Sequence, residues 1–186
     1  DLHRQNLLIG SACLNGDVFT TARYYNEDKL KEICSFYDYI EVQPPENYSF
    51  LVNMGECESD EIITYIKDII KAAKDIGKFV VATGDVHYLT PRQKIFRDVY
   101  ISAPQVGKNN HPLNPYRRAN LLHFENPDQH YRTTKEMLDC FSFLPDDLAR
   151  EIVITNTNLI ADTIEQLRPV PNDHLYTPTI DNCENL

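Results

Sequence analysis

The strongest constraint on the fold is a long amphipathic segment between two short apolar runs. Residues 59–76 carry isoleucines at helical spacing and are followed by Gly77, which predicts a helix with one buried face. The runs at 37–42 and 79–83 are rich in β-branched and aromatic residues, as is typical of strands. Strand, helix and strand in this order favour parallel pairing through a crossover helix, so we predict an α/β fold.

Other segments extend this pattern. The apolar run at 7–9, closed by Gly10, predicts a further buried strand. Pro91 suits the first turn of a helix, where a backbone N–H is not needed. Between residues 103 and 131 proline and asparagine are frequent, and an irregular segment is predicted there. Further helices are predicted from about residue 17 and over residues 27–35, 135–141 and 148–167.

Charge and composition restrict the classes of partner. The formal net charge of −10 argues against binding of a nucleic-acid phosphate backbone over a broad surface, although residues 92–118 are locally basic. No run approaches the ~20 apolar residues of a membrane span, and the first residues are not a signal peptide. Five cysteines, an odd number without C-x-x-C spacing, indicate reduced thiols in a cytoplasmic protein. They are Cys13, Cys34, Cys57, Cys140 and Cys183.

The clearest chemical candidates follow the predicted strand at 79–83. Gly84 ends this run, and Asp85 and His87 come next. In α/β enzymes catalytic groups lie just beyond the carboxyl ends of buried strands. A carboxylate and an imidazole are also good ligands for zinc, manganese or iron. The alternative is a turn aspartate beside a hydrogen-bonded histidine, and the spacing alone does not decide between the two.

Cys13 lies just past the first predicted strand, and Glu41 lies at the end of the second. Because parallel strands of one sheet end at the same rim, both are expected near Asp85 and His87, with Cys13 as a thiolate ligand. For Cys13 the alternative is a buried structural thiol, and for Glu41 it is a carboxylate bonded to a neighbouring loop. Surface or loop roles are expected for the histidines in irregular sequence, which are His111, His123, His130 and His174.

Several motifs, which occur in order along the chain, resemble the α subunit of PolC-type DNA polymerase III from low-GC Gram-positive bacteria. The resemblance implies the C-terminal part of the PHP (polymerase and histidinol phosphatase) domain, a distorted seven-stranded β/α barrel that an exonuclease domain interrupts. The motifs are N-L-L-I-G-S-A-C-L-N-G-D-V-F (6–19), F-Y-D-Y-I-E-V-Q-P-P-E-N-Y (36–48), V-V-A-T-G-D-V-H-Y-L (80–89), H-Y-R-T-T-K-E-M (130–137) and N-D-H-L-Y-T-P (172–178).

The resemblance also implies a ligand set and partners. The late metal ligands of the PHP family map onto Cys13, Asp85 and His87, for manganese, zinc or iron. The early ligands would lie before residue 1. PolC-type chains often have Asn at the position of Asp85. The implied partners of the parent protein are DNA and replisome subunits, with magnesium for polymerisation and no membrane.

The same resemblance gives a domain prediction for what looks like a fragment of a longer protein. Residues 1–103 are expected to be the C-terminal part of the PHP barrel, 104–168 a loop and helices that complete or flank it, and 169–186 a linker toward the polymerase palm. The predicted function is a metal-site or scaffold segment of a replicative DNA polymerase with 3′–5′ exonuclease activity. The alternative is a stand-alone, metal-dependent phosphoesterase of the PHP superfamily. A truncated barrel would expose sheet edges, so self-association is expected.

Overall fold

A parallel pair of strands lies at the centre of the fold. The structure is a computed structural model that describes residues 4–103, 111, 113 and 126–168. Strand β1 (Tyr39–Val42) pairs with β2 (Phe79–Ala82), with Tyr39 opposite Phe79 and Val42 opposite Ala82. The chain crosses between them through helix α4 (Ser59–Asp75). The predicted α/β class is therefore confirmed, and both strands and the crossover helix lie where the sequence pattern indicated.

Shorter helices surround this unit. Asn26 caps the second helix, where its side chain accepts a hydrogen bond from the backbone N–H of Lys29. The helices other than α4 are α1 (Asp17–Tyr24), α2 (Glu27–Phe36), α3 (Ser49–Asn53), α5 (Lys94–Ser102), α6 (Thr134–Cys140), α7 (Asp146–Arg150) and α8 (Asn156–Thr163). Single 3-10 turns occupy Arg4–Asn6, Pro45–Tyr48 and Pro91–Gln93, and a π-helical turn occupies Glu151–Thr155.

The hydrophobic core lies between α4 and the sheet. The isoleucines of α4 form one buried face, and Ile66 at its centre is 0% exposed. Ile40 of β1 and Val80 of β2 belong to the same buried cluster. Helices α1 and α2 pack beside α4, while the helical segment from α7 to α8 lies against β2. Burial of this apolar face, at about 25 cal/mol per Å², is the main force that holds the crossover in place.

Both edges of the small sheet have hydrogen-bonding partners. Beside β2, the buried side chain of Asn156 donates from Nδ2 to the carbonyl oxygen of Val80 over 2.8 Å. Beside β1, the backbone N–H of Asp38 donates to the Ile9 carbonyl over 2.8 Å. The N–H of Glu41 donates to the Ser11 hydroxyl over 2.9 Å. Side chains thus satisfy backbone groups that a third and a fourth strand would otherwise satisfy.

The predicted strand at residues 7–9 is wrong. This segment forms a single parallel bridge between Gly10 and Tyr39, and Leu7 and Leu8 are more than half exposed. The reason is the carboxylate of Asp38, which binds Arg4 and also accepts the backbone N–H of Ile9 over 2.7 Å. The Asp38 side chain thus accepts the Ile9 N–H, which is not available for pairing with a neighbouring strand. Nothing in the described residues covers Leu7 and Leu8, so regular strand pairing does not develop.

The last predicted helices also differ from the structure. The predicted helix at 135–141 begins one residue earlier, because Thr133 is its N-cap and Glu136 reciprocates in a capping box. The predicted helix at 148–167 begins earlier, as α7, passes through the π-helical turn and ends at Thr163. A π-turn inserts one extra residue, and Asn156, which points at β2, follows it directly.

Several sequence expectations fall partly outside the described residues. Most of the irregular segment at 103–131 and the whole of 169–186 lie there, so the predicted domain boundaries stay predictions. The described part of the irregular segment at 126–131 contains no helix or strand. All cysteines within the described residues are free, and they are Cys13, Cys34, Cys57 and Cys140. Across the described ranges, the helices are all too short or too polar to cross a membrane.

Replacing Asn156 by alanine tests the closure of the sheet edge. The substitution leaves the Val80 carbonyl buried without a donor, so we expect a loss of about 1–3 kcal/mol in the free energy of unfolding. Urea denaturation followed by circular dichroism measures this loss. Asn158→Ala, at an exposed position of the same helix, is the control and should change stability by less than about 0.5 kcal/mol. Equal effects of the two substitutions would contradict this account of the edge.

Candidate functional site at the strand ends

The two strands end side by side at a rim of polar residues. The backbone N–H of Thr83 donates to the Val42 carbonyl over 3.0 Å, which extends the pairing one step beyond the strands. Gln43 and Thr83 are therefore neighbours at the rim. Asp85 follows in the left-handed backbone region, with φ of 47°. Aspartate and asparagine tolerate this region better than most side chains, so the turn selects a short polar residue here.

Asp85 and His87 form the polar pair expected from the sequence. His87 Nε2 lies 3.6 Å from Asp85 Oδ1, and Gln129 Nε2 donates to Asp85 Oδ2 over 2.7 Å. Burial lowers the pKa of His87, the positive charge of Arg97 lowers it further, and Asp85 acts in the opposite direction. This environment favours the neutral imidazole. The turn thus holds a carboxylate, an imidazole and an amide in one small cluster.

Cys13 and Glu41 lie on the same side of the molecule as Asp85. All three side chains act electrostatically on the buried hydroxyl of Tyr48. Burial is the main reason that the pKa of Tyr48 is raised, and the three acidic side chains raise it further. Cys13 is half-buried, and Glu41 accepts a hydrogen bond from Gln43 Nε2 over 3.3 Å. These two side chains thus share a rim with Asp85 without joining it in a compact cluster.

A second stretch of chain, residues 126–132, docks against this rim and is called the rim segment below. A parallel bridge joins Tyr88 to His130, and the backbone N–H of His87 donates to the Gln129 carbonyl over 2.9 Å. The Tyr88 hydroxyl donates to Asp128 Oδ1 and accepts from the Gln129 backbone N–H, both over 2.8 Å. Burial is the main reason that the pKa of Tyr88 is raised to about 12.

Asp128 is the centre of the hydrogen bonds within the rim segment. Burial raises the pKa of its carboxyl, but hydrogen bonds from His130 and Tyr88 outweigh burial, and the net shift is downward. His130 Nδ1 lies 2.9 Å from Asp128 Oδ1. The buried guanidinium of Arg132 donates to the Asp128 carbonyl over 2.6 Å. The carboxylate is therefore held in its charged form, and the segment has a fixed shape beneath the cluster.

The described side chains supply only part of a metal site. Within residues 4–103, 111, 113 and 126–168 no group of three or more His, Cys, Asp or Glu side chains is arranged to hold a metal ion. Asp85 and His87 are a pair, and the Gln129 amide already occupies one Asp85 oxygen. Buried oxygens without a hydrogen-bond donor lie on Gln43, Asn47, Thr83 and Gln129. The described donor set alone therefore does not fit a bound transition metal.

Sequence reasoning missed several residues of this cluster. Gln129 carried no signal, because its contact with Asp85 joins positions 44 residues apart. Arg97 appeared only as part of a basic stretch, yet its charge acts on both Asp85 and His87. His130 lies in a loop as expected, but its side chain is only 13% exposed. His123 and His174 lie outside the described residues.

Removing the Tyr88 hydroxyl tests how the rim segment is anchored. Tyr88→Phe leaves a carboxylate oxygen and a backbone N–H without this partner, so we expect a loss of about 1–3 kcal/mol in unfolding free energy. The same substitution at Tyr131, which is 61% exposed, is the matched control. Chemical denaturation of both variants measures the difference. The anchoring role is wrong if Tyr88→Phe is as stable as Tyr131→Phe.

The backbone conformation of Asp85 predicts an order among its variants. Asp85→Asn keeps a residue that tolerates a positive φ and retains an oxygen for the Gln129 amide. Asp85→Ala loses both the tolerance of a positive φ and the oxygen that accepts the Gln129 hydrogen bond. Its free energy of unfolding is therefore expected to be about 1–2 kcal/mol lower than that of Asp85→Asn. Thermal unfolding of the two variants measures this order. Equal stability of the two would show that neither the turn nor the amide contact contributes.

Comparison with known proteins finds relatives that match almost the whole sequence and are much longer than it. No protein-family model matches the sequence. The curated relatives include proteins named DNA polymerase III PolC-type from Halalkalibacterium halodurans, 44% identical over 183 residues, and Bacillus subtilis, 42% identical over 183 residues. A protein of the same name from Streptococcus thermophilus is 41% identical over 186 residues. These matches cover 98–99% of the chain but only 12% of each relative.

Proposed function

We propose that this chain, which is homologous over almost its whole length to a segment of PolC-type DNA polymerase III, works as one segment of a bacterial replicative DNA polymerase. The observation that carries the proposal is the match of 98% of the chain to proteins of that name at 39–44% identity. Because the chain spans about an eighth of those relatives, DNA synthesis, 3′–5′ exonuclease activity and a cytoplasmic location belong to the longer protein in this proposal.

Within that polymerase the segment is the C-terminal part of a PHP-type barrel. Two features support this assignment: a parallel strand–helix–strand unit, and polar side chains grouped at the carboxyl ends of both strands. β/α barrels are built by repeating such units, and their functional groups lie at that end of the strands. A scaffold role follows for the isolated segment, since a complete site at the rim would need strands supplied by the rest of the barrel.

Asp85, His87 and Cys13 are the residues that this segment would contribute to a PHP metal centre. Manganese, zinc and iron accept such a mixture of carboxylate, imidazole and thiolate ligands. Because the described residues contain no complete ligand group, the remaining ligands would come from outside the described residues. DNA, replisome subunits and the magnesium used for polymerisation likewise belong to the longer protein.

A stand-alone phosphoesterase of the PHP superfamily is the weaker alternative. Such an enzyme needs its complete metal cluster within one chain, and the described residues carry no group of three or more His, Cys, Asp or Glu side chains arranged to hold a metal ion. The relatives that this sequence matches are also about eight times as long as it is. Both observations favour the polymerase segment.

The scaffold role is tested in the longer polymerase with a core substitution. Ile66→Ala removes a side chain that is 0% exposed, so we expect a loss of about 2–5 kcal/mol in the stability of this region. DNA synthesis on a primed template should then fail at a lower temperature than in the parent enzyme. Leu159→Ala, at a position that is 46% exposed, is the control and should keep the parental temperature limit. A polymerase with an unchanged temperature limit despite Ile66→Ala would count against a scaffold role.

The metal centre has a separate test. Elemental mass spectrometry of the longer polymerase, purified without chelators, is expected to find bound transition metal that Asp85→Asn or His87→Gln removes. Asp85→Asn is the informative change because asparagine retains the left-handed turn, so that metal loss is not a result of misfolding. If the parent enzyme holds no transition metal, or holds it equally in both variants, the rim is not a metal centre.

A further inference from the structure

Helix α5 has its apolar side toward solvent. Its side chains at positions 95, 96, 99 and 100 lie on one face, as the 3.6-residue repeat of a helix requires. Ile95, Phe96, Val99 and Tyr100 on this face are 62%, 70%, 63% and 56% exposed. A helix at the surface of a globular protein normally has the opposite arrangement, with its apolar side toward the core.

The polar side of α5 faces the protein instead. Lys94 Nζ and Asn126 Nδ2 both bind the carboxylate of Asp98, over 3.2 Å and 2.8 Å. Arg97 lies on the same side and is attracted by the charge of Asp85. Ile101 is the one buried residue of the helix and is 0% exposed. The helix is therefore anchored to the rim by charges and hydrogen bonds. On its apolar face Tyr100 contacts the ring of His111 edge-on, with 5.9 Å between centroids, while Ile95, Phe96 and Val99 lie outside the described core.

The apolar face of α5 adjoins the candidate site. Phe96 and Tyr100 line a shallow groove together with His87, Tyr88 and Arg97. Contiguous exposed apolar surface of this kind marks an interaction site on a soluble protein. A cover over Phe96 would also close one side of the groove that leads to His87.

We propose that another segment of the same polymerase chain covers this face, so that α5 is an interior helix of the complete protein. This inference rests on the proposed function, because the covering segment would belong to the part of the longer protein, about seven-eighths of the relatives' length, that this chain does not span. The apolar chemistry of the face selects an apolar partner surface. The apolar character of this face and the net charge of −10 disfavour DNA as the occupant, although Arg97 lies beside the groove.

The size of the face also favours a partner within the same chain. A stable interface between separate proteins buries roughly 800 Å² on each partner, which is far more than the side chains at four positions of a nine-residue helix provide. A tethered segment needs less area, because the connecting chain holds it at high effective concentration. The occupant is therefore a covalently linked part of the polymerase and not a second copy of this chain.

Thiol labelling at position 96 tests the proposal. Phe96→Cys is introduced into the longer polymerase and into the 186-residue chain, and maleimide labelling is followed by peptide mass spectrometry, which separates this site from the native cysteines. We expect labelling at least about tenfold slower in the polymerase, since a covered site reacts only through local opening. Thr64→Cys, on the exposed side of α4, is the control and should react equally in both proteins.

Several results would overturn the proposal. Equal labelling of Phe96→Cys in the two proteins would show that the face stays open, and slow labelling in the dilute 186-residue chain would place the cover within that chain. Protection that requires high protein concentration would identify a second copy, and protection that requires added DNA would identify nucleic acid. The readout does not depend on catalysis, so a polymerase without DNA synthesis would refute the proposed function while leaving this test intact.

Discussion

The parallel pairing of β1 with β2 is the constraint on which the rest of the structure depends. Parallel neighbours need a long crossover, and α4 provides it by burying its isoleucine face against both strands. This arrangement brings the carboxyl ends of the strands to one rim, where Thr83 continues the pairing with Val42. Asp85, the left-handed turn and the polar cluster follow directly from that geometry.

The rim is held in shape by polar contacts over long sequence distances and not by a core of its own. The rim segment joins β2's loop through the Tyr88 hydroxyl and through Gln129, which binds Asp85. Arg97 brings a positive charge to the same carboxylate. Asp85 thus has two favourable contacts that hold it in the turn, the hydrogen bond from Gln129 and the nearby charge of Arg97.

The surfaces of the chain bear on its proposed place within a larger polymerase. Asn156 and Ser11 satisfy backbone groups at the two sheet edges, which is how proteins protect strands that lack a neighbour. Fewer backbone groups at the sheet edges are therefore open for pairing, and self-association stays a prediction. Helix α5 is different, because its exposed face is apolar and side-chain hydrogen bonds cannot satisfy it. A covering partner is the physical solution for that face.

By itself the sequence determined the features that depend on local pattern. Isoleucine spacing over α4, the β-rich runs at β1 and β2, and the relation to PolC-type polymerases were all readable, because periodicity and motif are properties of neighbouring residues. It also placed Asp85 and His87 together at a strand end. Tertiary structure alone decided that the run at 7–9 is not a strand, because the Asp38 carboxylate takes a ladder hydrogen bond. Only the tertiary structure shows that Gln129 contacts Asp85 and that the apolar side of α5 faces outward. Both features depend on contacts between residues far apart in the sequence, which a local pattern does not reveal.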